Sequence, residues 1–202
     1  LVDDQNVRWT QNELLAWLND GQRSIARYIP EVGVEVDESL SALATAKQSL
    51  PSDCIVLIDV ISHNSGTAVR SLRRGDSKTL NALFPSWLSD TDTGTGQPGT
   101  WTYDERVPKQ FWLHPAPADG LGTVEVIYRK APSNVSASDS IGIDDIYGDS
   151  LLDYILYRSY MKEEEEVAID QTKAVFHYNS FLQGLGQKLQ GDAISSARSE
   201  AL

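Results

Sequence analysis

The hydrophobic period of this chain changes twice along its length. Apolar residues recur at helical spacing near both ends, whereas in the middle they alternate with polar residues. Helical spacing places apolar side chains on one stripe of a helix, and alternation places them on one face of a strand. We therefore predict an α+β fold: a helical bundle formed by the N- and C-terminal helices, with an inserted antiparallel β domain that is a sandwich or an open barrel.

The first helix has a clear start and a clear end. Thr10 and Glu13 have the spacing of a capping box, in which each side chain accepts a hydrogen bond from the other residue's backbone N–H. Pro30 then ends the helix, because its ring prevents the preceding turn from continuing. The apolar stripe between them consists of Leu14, Trp17, Leu18, Gly21, Ile25, Tyr28 and Ile29.

The middle of the chain predicts five strands with short connections. Residues 54–62 and 68–73 flank a polar turn and form a hairpin. Three further strands are expected at residues 101–106, 110–114 and 122–130. A short helix capped by Asp76 is expected before Pro85. Residues 38–47 contain good helix formers, but we expect their second half to be extended.

These patterns give the domain organisation. We assign residues 1–46 and 140–189 to the helical bundle and residues 47–139 to the β domain. Residues 190–202 form a polar tail of small side chains that buries too little apolar surface to order itself alone. Ile194, Ala197 and Leu202 are apolar points within it at roughly helical spacing, which suits folding against a partner.

Composition excludes several classes of protein. The net charge of −12 opposes a nucleic-acid-binding surface, which needs clustered Lys and Arg. The negative charge does suit a wall that DNA slides past without adhering.

Cys54 is the only cysteine, so no internal disulfide can form, and the apolar run after it predicts a buried, inert thiol. No apolar run approaches the ~20 residues that a membrane span needs.

One short segment matches an esterase motif by sequence alone. Gly148-Asp149-Ser150-Leu151 matches the nucleophile motif of one esterase family, but it lies late in the chain within a helical pattern. No Asp-x-x-His sequence follows to supply a base, and a serine without a base is a poor nucleophile. We predict no enzymatic activity and no cofactor.

Three acidic residues recur every four positions near the start of the C-terminal helices. Asp145, Asp149 and Asp153 therefore share a helix face. Paired carboxylates can hold a metal or transfer protons, but caps and ion pairs explain this position better, since acids stabilise helix N-termini. Arg158 lies within reach of Tyr154 and Asp153 as a structural partner. We expect no metal site and assign part of this face to contacts between subunits.

Several segments, taken in chain order, resemble the head-to-tail adaptor proteins of podovirus-like tailed bacteriophages. They extend from about Val7 to Gly186. The segments are ELLAWLNDGQR (residues 13–23), KQSLP (47–51) leading into residues 58–60, residues 103–106 leading to FWLHP (111–115), and residues 144–147 with LLDYILYRSY (151–160), ending at HYNSF (177–181).

The resemblance implies a structural role. Proteins of this family form a ring, usually twelvefold, under the portal, with DNA passing through the lumen, and they have no active site. We therefore expect a virion neck protein, assembled in the host cytoplasm, whose partners are further copies of itself, the portal and the tail nozzle. We expect DNA to pass through the lumen without specific binding, and the protein not to enter a membrane. Expected contact residues are Asp145, Tyr147, Asp153, Arg158, Ile194, Ala197 and Leu202. Alternatives are another tail-tube or tail-completion protein, or a small phage-borne enzyme or carbohydrate-binding β module.

Overall fold

The computed structural model describes residues 8–89, 97–117, 122–162 and 171–186. Its elements in chain order are α1 (Gln11–Tyr28), a 3-10 helix (Pro30–Gly33), β1 (Val34–Ser41), β2 (Lys47–Ser49), β3 (Cys54–Asn64), β4 (Val69–Ser71), β5 (Arg73–Arg74), α2 (Ser77–Leu83), β6 (Thr100–Tyr103), β7 (Gln110–His114), β8 (Thr123–Lys130), a 3-10 helix (Asp145–Tyr147), α3 (Gly148–Met161) and α4 (residues 171–186).

The chain divides into two compact units. The helical unit comprises Leu1–Gly33 and Pro132–Leu202, and the β unit comprises Val34–Ala131. The sequence placed these junctions later, after residues 46 and 139. The first junction differs because the structure assigns residues 34–41 to strand β1, whose Glu and Asp residues hide its alternation in the sequence.

Three helices share the core of the helical unit. Ile25 and Phe181 are almost fully buried there, and Tyr154 packs edge-on against Phe181 with 5.3 Å between ring centroids. Gly21 allows α1 to approach α3 closely, because a Cβ at this position would lie 2.6 Å from Leu151 Cδ1. The buried members of this core are Ile25, Ile29, Ile143, Tyr147, Leu151, Tyr154, Phe181 and Leu185.

The predicted capping box at the start of α1 is confirmed. Thr10 Oγ1 accepts from the Glu13 backbone N–H at 3.3 Å, and Glu13 Oε2 accepts from the Thr10 backbone N–H at 3.0 Å. Lys162 donates to both carboxylate oxygens of Glu13, at 2.7 and 2.9 Å. These contacts, with the Lys162 hydrogen bond as the largest cause, lower the pKa of Glu13 from 4.5 to about 2.

Glu13→Gln should reduce stability at neutral pH but not in acid. The pKa of Glu13 is lower in the folded state, so its ionised form stabilises the fold above pH 4.5, and this stabilisation is lost as the pH falls toward about 2. Thermal melts of wild type and variant between pH 3 and 7 should converge steadily below pH 4.5. A constant difference across that range would contradict the prediction. In a Lys162→Met background the substitution should have a smaller effect.

The β unit contains two open four-stranded sheets. The first has the order β1-β8-β3-β4 and the second the order β2-β7-β6-β5. All neighbouring strands are antiparallel except β5 and β6, which are parallel, so the second sheet is mixed. Both sheets contribute to one apolar core, which includes Val60, Val126, Trp101, Phe111 and Leu113. The α+β prediction is confirmed, with open sheets rather than a closed barrel.

Residues 34–49 differ in detail from the sequence-based expectation. We expected the second half of residues 38–47 to be extended, but the first half is, because β1 continues to Ser41. Strand pairing resumes only at Lys47, where β2 begins. Among the described strands β1 pairs only with β8, at the edge of its sheet, and none of its residues is buried. A strand that buries no side chain gives little hydrophobic pattern to recognise.

Strand β3 carries three bulges against β8. The register shifts between Cys54 and Val56, between Leu57 and Asp59, and between Val60 and Ser62. The residues inserted at these shifts are Ile55, Ile58 and Ile61, and all three are exposed. A bulge leaves one residue without a partner on the facing strand and increases the local twist. Exposed side chains therefore recur at every third residue of β3, instead of every second.

Candidate assembly surfaces

The acidic residues near the start of α3 have different roles. Asp144 caps the 3-10 helix by accepting from the Ile146 backbone N–H at 3.0 Å. Asp145 and Asp149 are exposed, and the side chains of neither have a hydrogen-bond partner within the described residues. Ile146, beside Asp145, is also 64% exposed. This end of α3 therefore presents free carboxylates next to an apolar side chain.

The other predicted contact residues of this region are engaged within the helical unit. Tyr147 is 5% exposed and belongs to the helical core. Arg158 Nη1 donates to the Tyr154 hydroxyl at 3.4 Å and lies 3.6 Å from a carboxylate oxygen of Asp20 on α1. Arg158 was expected to pair with Tyr154 and Asp153, and the structure supplies Asp20 instead of Asp153.

Asp153 pairs with a histidine that is remote in sequence. His177 Nδ1 on α4 lies 2.8 Å from Asp153 Oδ1, and the His177 ring stacks on Tyr160 with planes 9° apart. Sequence reasoning missed this pair because it considered only histidines near Asp153 along the chain. The arrangement connects α3 to α4 through a polar contact flanked by aromatic rings.

Ser150 does not form part of a catalytic arrangement in the described residues. It lies in α3, is 9% exposed, and faces α4 closely enough that a Cβ at Gly184 would lie 2.6 Å from its hydroxyl oxygen. Ser150 thus lies where α3 packs against α4.

The described residues contain no candidate metal site and no membrane-spanning helix. No group of three or more His, Cys, Asp or Glu side chains in the described residues could hold a metal ion. None of the helices in that part of the chain is long and apolar enough to cross a bilayer. Cys54 is buried as predicted, and burial raises the pKa of its thiol. The predicted tail contacts Ile194, Ala197 and Leu202 lie outside the described residues.

The outer face of the first sheet is unusually apolar for an exposed surface. We call Ile55, Ile58 and Ile61 the isoleucine row; their exposed fractions are 43%, 44% and 36%. Val36 on β1 is 51% exposed and pairs with Ile127 on β8, whose partner on β3 is Asp59, the residue after Ile58. Exposed apolar patches that are rimmed by polar residues mark sites of protein contact.

A groove lies between α2 and β6 in the β unit. Trp87 Nε1 donates to Asn81 Oδ1 at 2.7 Å, which fixes the indole against α2. At the groove's edge Asp104 accepts hydrogen bonds from Arg106, whose side chain is 88% exposed. Arg106 lowers the pKa of Asp104 to about 2, so this carboxylate is ionised at neutral pH. No sequence pattern indicates this groove, since its residues come from separate elements.

Comparison with known proteins identifies the family. A search of curated proteins found none that matches this chain. The sequence profile of the family described as SU10 adaptor protein matches residues 1–200. The match includes both chain ends and the inserted β unit, in agreement with the resemblance found in the ordered segments. The chain therefore belongs to the SU10 adaptor protein family, a family of phage adaptor proteins that are structural components of the virion.

Proposed function

We propose that this protein is a non-enzymatic head-to-tail adaptor, which forms a twelvefold ring between the portal and the tail nozzle. The family match over residues 1–200 is the observation that carries the proposal. DNA passes through the lumen of the ring without specific binding, and the net charge of −12 per copy keeps phosphate from adhering to the wall. The work of the protein is assembly.

Two surfaces of the described residues support such a role. The isoleucine row is a line of exposed apolar side chains along the bulged strand β3, which suits a lateral contact repeated identically around a closed ring. Asp145 with the exposed Ile146 forms a second, smaller surface at the start of α3. We assign the lateral contact to the isoleucine row. We assign contacts with the portal to Asp145 and to the tail residues Ile194, Ala197 and Leu202.

Purified protein mixed with portal rings tests the proposal directly. Cryo-electron microscopy of the mixture should show one added ring of twelve copies on each portal. Portal rings that remain bare at saturating protein, or that carry isolated single copies, would refute the adaptor role. A continuous tube of stacked rings would favour a tail-tube protein instead.

Ile58→Asp should abolish ring assembly while leaving the fold intact. Ile58 lies at the centre of the isoleucine row and is 44% exposed, so a carboxylate there costs little in the monomer. Burying that charge in a contact between subunits without a partner costs several kcal/mol, which is enough to prevent assembly. Ser71→Asp, at an exposed position on the neighbouring strand β4, is the matched control and should assemble normally. Equal assembly by both variants would remove the isoleucine row from the contact.

A further inference from the structure

The groove between α2 and β6 is a cavity of about 240 Å³, enough for one long side chain. Trp87, Leu88 and Trp112 supply its apolar surface. Asn81, Thr102 and Asp104 supply its polar groups. The groove lies wholly within the β unit.

Within the described residues, the part of strand β6 beside this groove has an unpaired edge. β5 pairs with β6 only at Thr100 and Trp101, and the Gly75 N–H donates to the Trp101 carbonyl at 2.8 Å. Alternate residues of a strand direct their backbone groups to opposite sides, so Tyr103 presents its N–H and C=O on the same side as Trp101. No strand of the described residues pairs with β6 there.

Tyr103 therefore lines the groove with its backbone. Its side chain points to the opposite face, where the hydroxyl accepts from the Leu57 backbone N–H at 3.3 Å. A free N–H and C=O on a sheet edge form a template for one more strand. An extended peptide that binds there gains hydrogen bonds from its backbone and selectivity from the side chain that it inserts into the adjoining pocket.

The mixed lining of the groove selects the inserted side chain. A purely aliphatic side chain would displace water from the Asn81 amide and the Asp104 carboxylate. It would offer them no hydrogen bond in exchange, which is costly. A Lys or Arg side chain places an aliphatic stem against the two indoles and brings its charge to the carboxylate. The net charge of −12 attracts the same kind of partner.

The Asp104 carboxylate is already occupied, but by an exchangeable group. Arg106 lies two residues away, its side chain is 88% exposed, and it contacts both Asp104 oxygens. Ion pairs between exposed side chains contribute little to stability, so an incoming cation held by other contacts can displace Arg106. Arg106 thus occupies the position that a partner's basic side chain would take.

We propose that this groove binds an extended basic segment of another protein chain. The segment adds to β6 as a strand beside Tyr103 and inserts one Lys or Arg side chain between Trp87, Trp112 and Asp104. The proposal rests on the proposed function in one respect, namely that the segment belongs to a neighbouring virion protein.

Peptide titration of the full chain, labelled with ¹⁵N, tests the groove without portal or ring. The probe is acetyl-Thr-Lys-Thr-Lys-Thr-amide, in which both Lys side chains lie on one face of a strand. It should shift the Tyr103 amide resonance and the indole resonances of Trp87 and Trp112. The twin peptide with norleucine at both Lys positions keeps the stem without the charge and should bind about tenfold more weakly. A twin with N-methylated Thr residues should not bind.

Two substitutions separate the charge contribution from the rest. Asp104→Asn should weaken binding of the Lys peptide about tenfold and remove its advantage over the norleucine peptide. Arg106→Gln should strengthen binding, because it frees the carboxylate. Unchanged Tyr103 resonances at saturating peptide, equal affinity for the Lys and norleucine peptides, or weaker binding by Arg106→Gln would each overturn the proposal. These readouts involve no assembly, so they can fail while ring formation on the portal succeeds.

Discussion

Gly122→Ala is expected to destabilise the β unit by about 3–5 kcal/mol. Gly122 has a φ of 99°, in the left-handed region that L side chains rarely adopt. It lies where β8 begins beside the end of β3, and a Cβ there would collide with the Asn64 backbone carbonyl. The Gly122 carbonyl also accepts from the Ala42 N–H at 3.1 Å, so the backbone cannot move away without losing this bond.

Gly66→Ala is the matched control for this prediction. Gly66 also has a positive φ, of 84°, but no atom of the described residues lies within 4 Å of the position that a Cβ would take. Its substitution should cost only about 1 kcal/mol, the backbone strain alone. Urea unfolding followed by tryptophan fluorescence measures both variants. Equal losses of stability would show that the collision at Gly122 is relieved by a small shift of the chain.

Gln48→Leu is expected to cost about 2–4 kcal/mol although it makes the core more apolar. Gln48 on β2 is 1% exposed, and its side chain organises the connection from β1. Its Oε1 accepts from the Leu43 N–H at 2.8 Å, while its Nε2 donates to the Leu43 carbonyl at 3.0 Å and to the Thr45 carbonyl. Leucine has a similar volume but can make none of these bonds.

The matched control for Gln48→Leu is the same substitution at a glutamine on the neighbouring strand. Gln110 lies on β7, is half-buried, and its side chain makes no hydrogen bond to the described residues. Gln110→Leu should therefore change the free energy of unfolding by less than ~0.5 kcal/mol. If Gln48→Leu were equally mild, water would be satisfying the backbone groups of Leu43 and Thr45 in its place.

Local signals made much of the fold predictable. The Thr10–Glu13 box and the Asp76 cap depend on residues three apart, and both form as expected. The strand ending at Lys130 is predictable because Val124, Val126 and Tyr128 recur at every second position, and these three side chains are buried in the structure. Such features need no knowledge of distant parts of the chain, so the sequence alone determines them.

Features that depend on distant partners were not predictable. The Asp153–His177 pair joins two helices, and the groove beside Trp87 combines α2 with two strands. The bulges of β3 follow from a mismatch in length between β3 and β8, which appears only when the strands are paired. Residues 54–62 were predicted as a buried strand, but the sequence alone did not show that Ile55, Ile58 and Ile61 face outward.

The insertion of the β unit into the helical unit affects the order in which the chain folds during synthesis. Gly21 on α1 packs against Leu151 and Tyr154 on α3, which leave the ribosome only after all of Val34–Ala131 has been made. At a bacterial elongation rate of about 5–20 residues per second, α1 waits roughly 7–27 seconds for α3. The contiguous β unit has this interval in which to fold, while the apolar stripe of α1 still lacks its partners. The first helix to be synthesised is thus among the last to be packed.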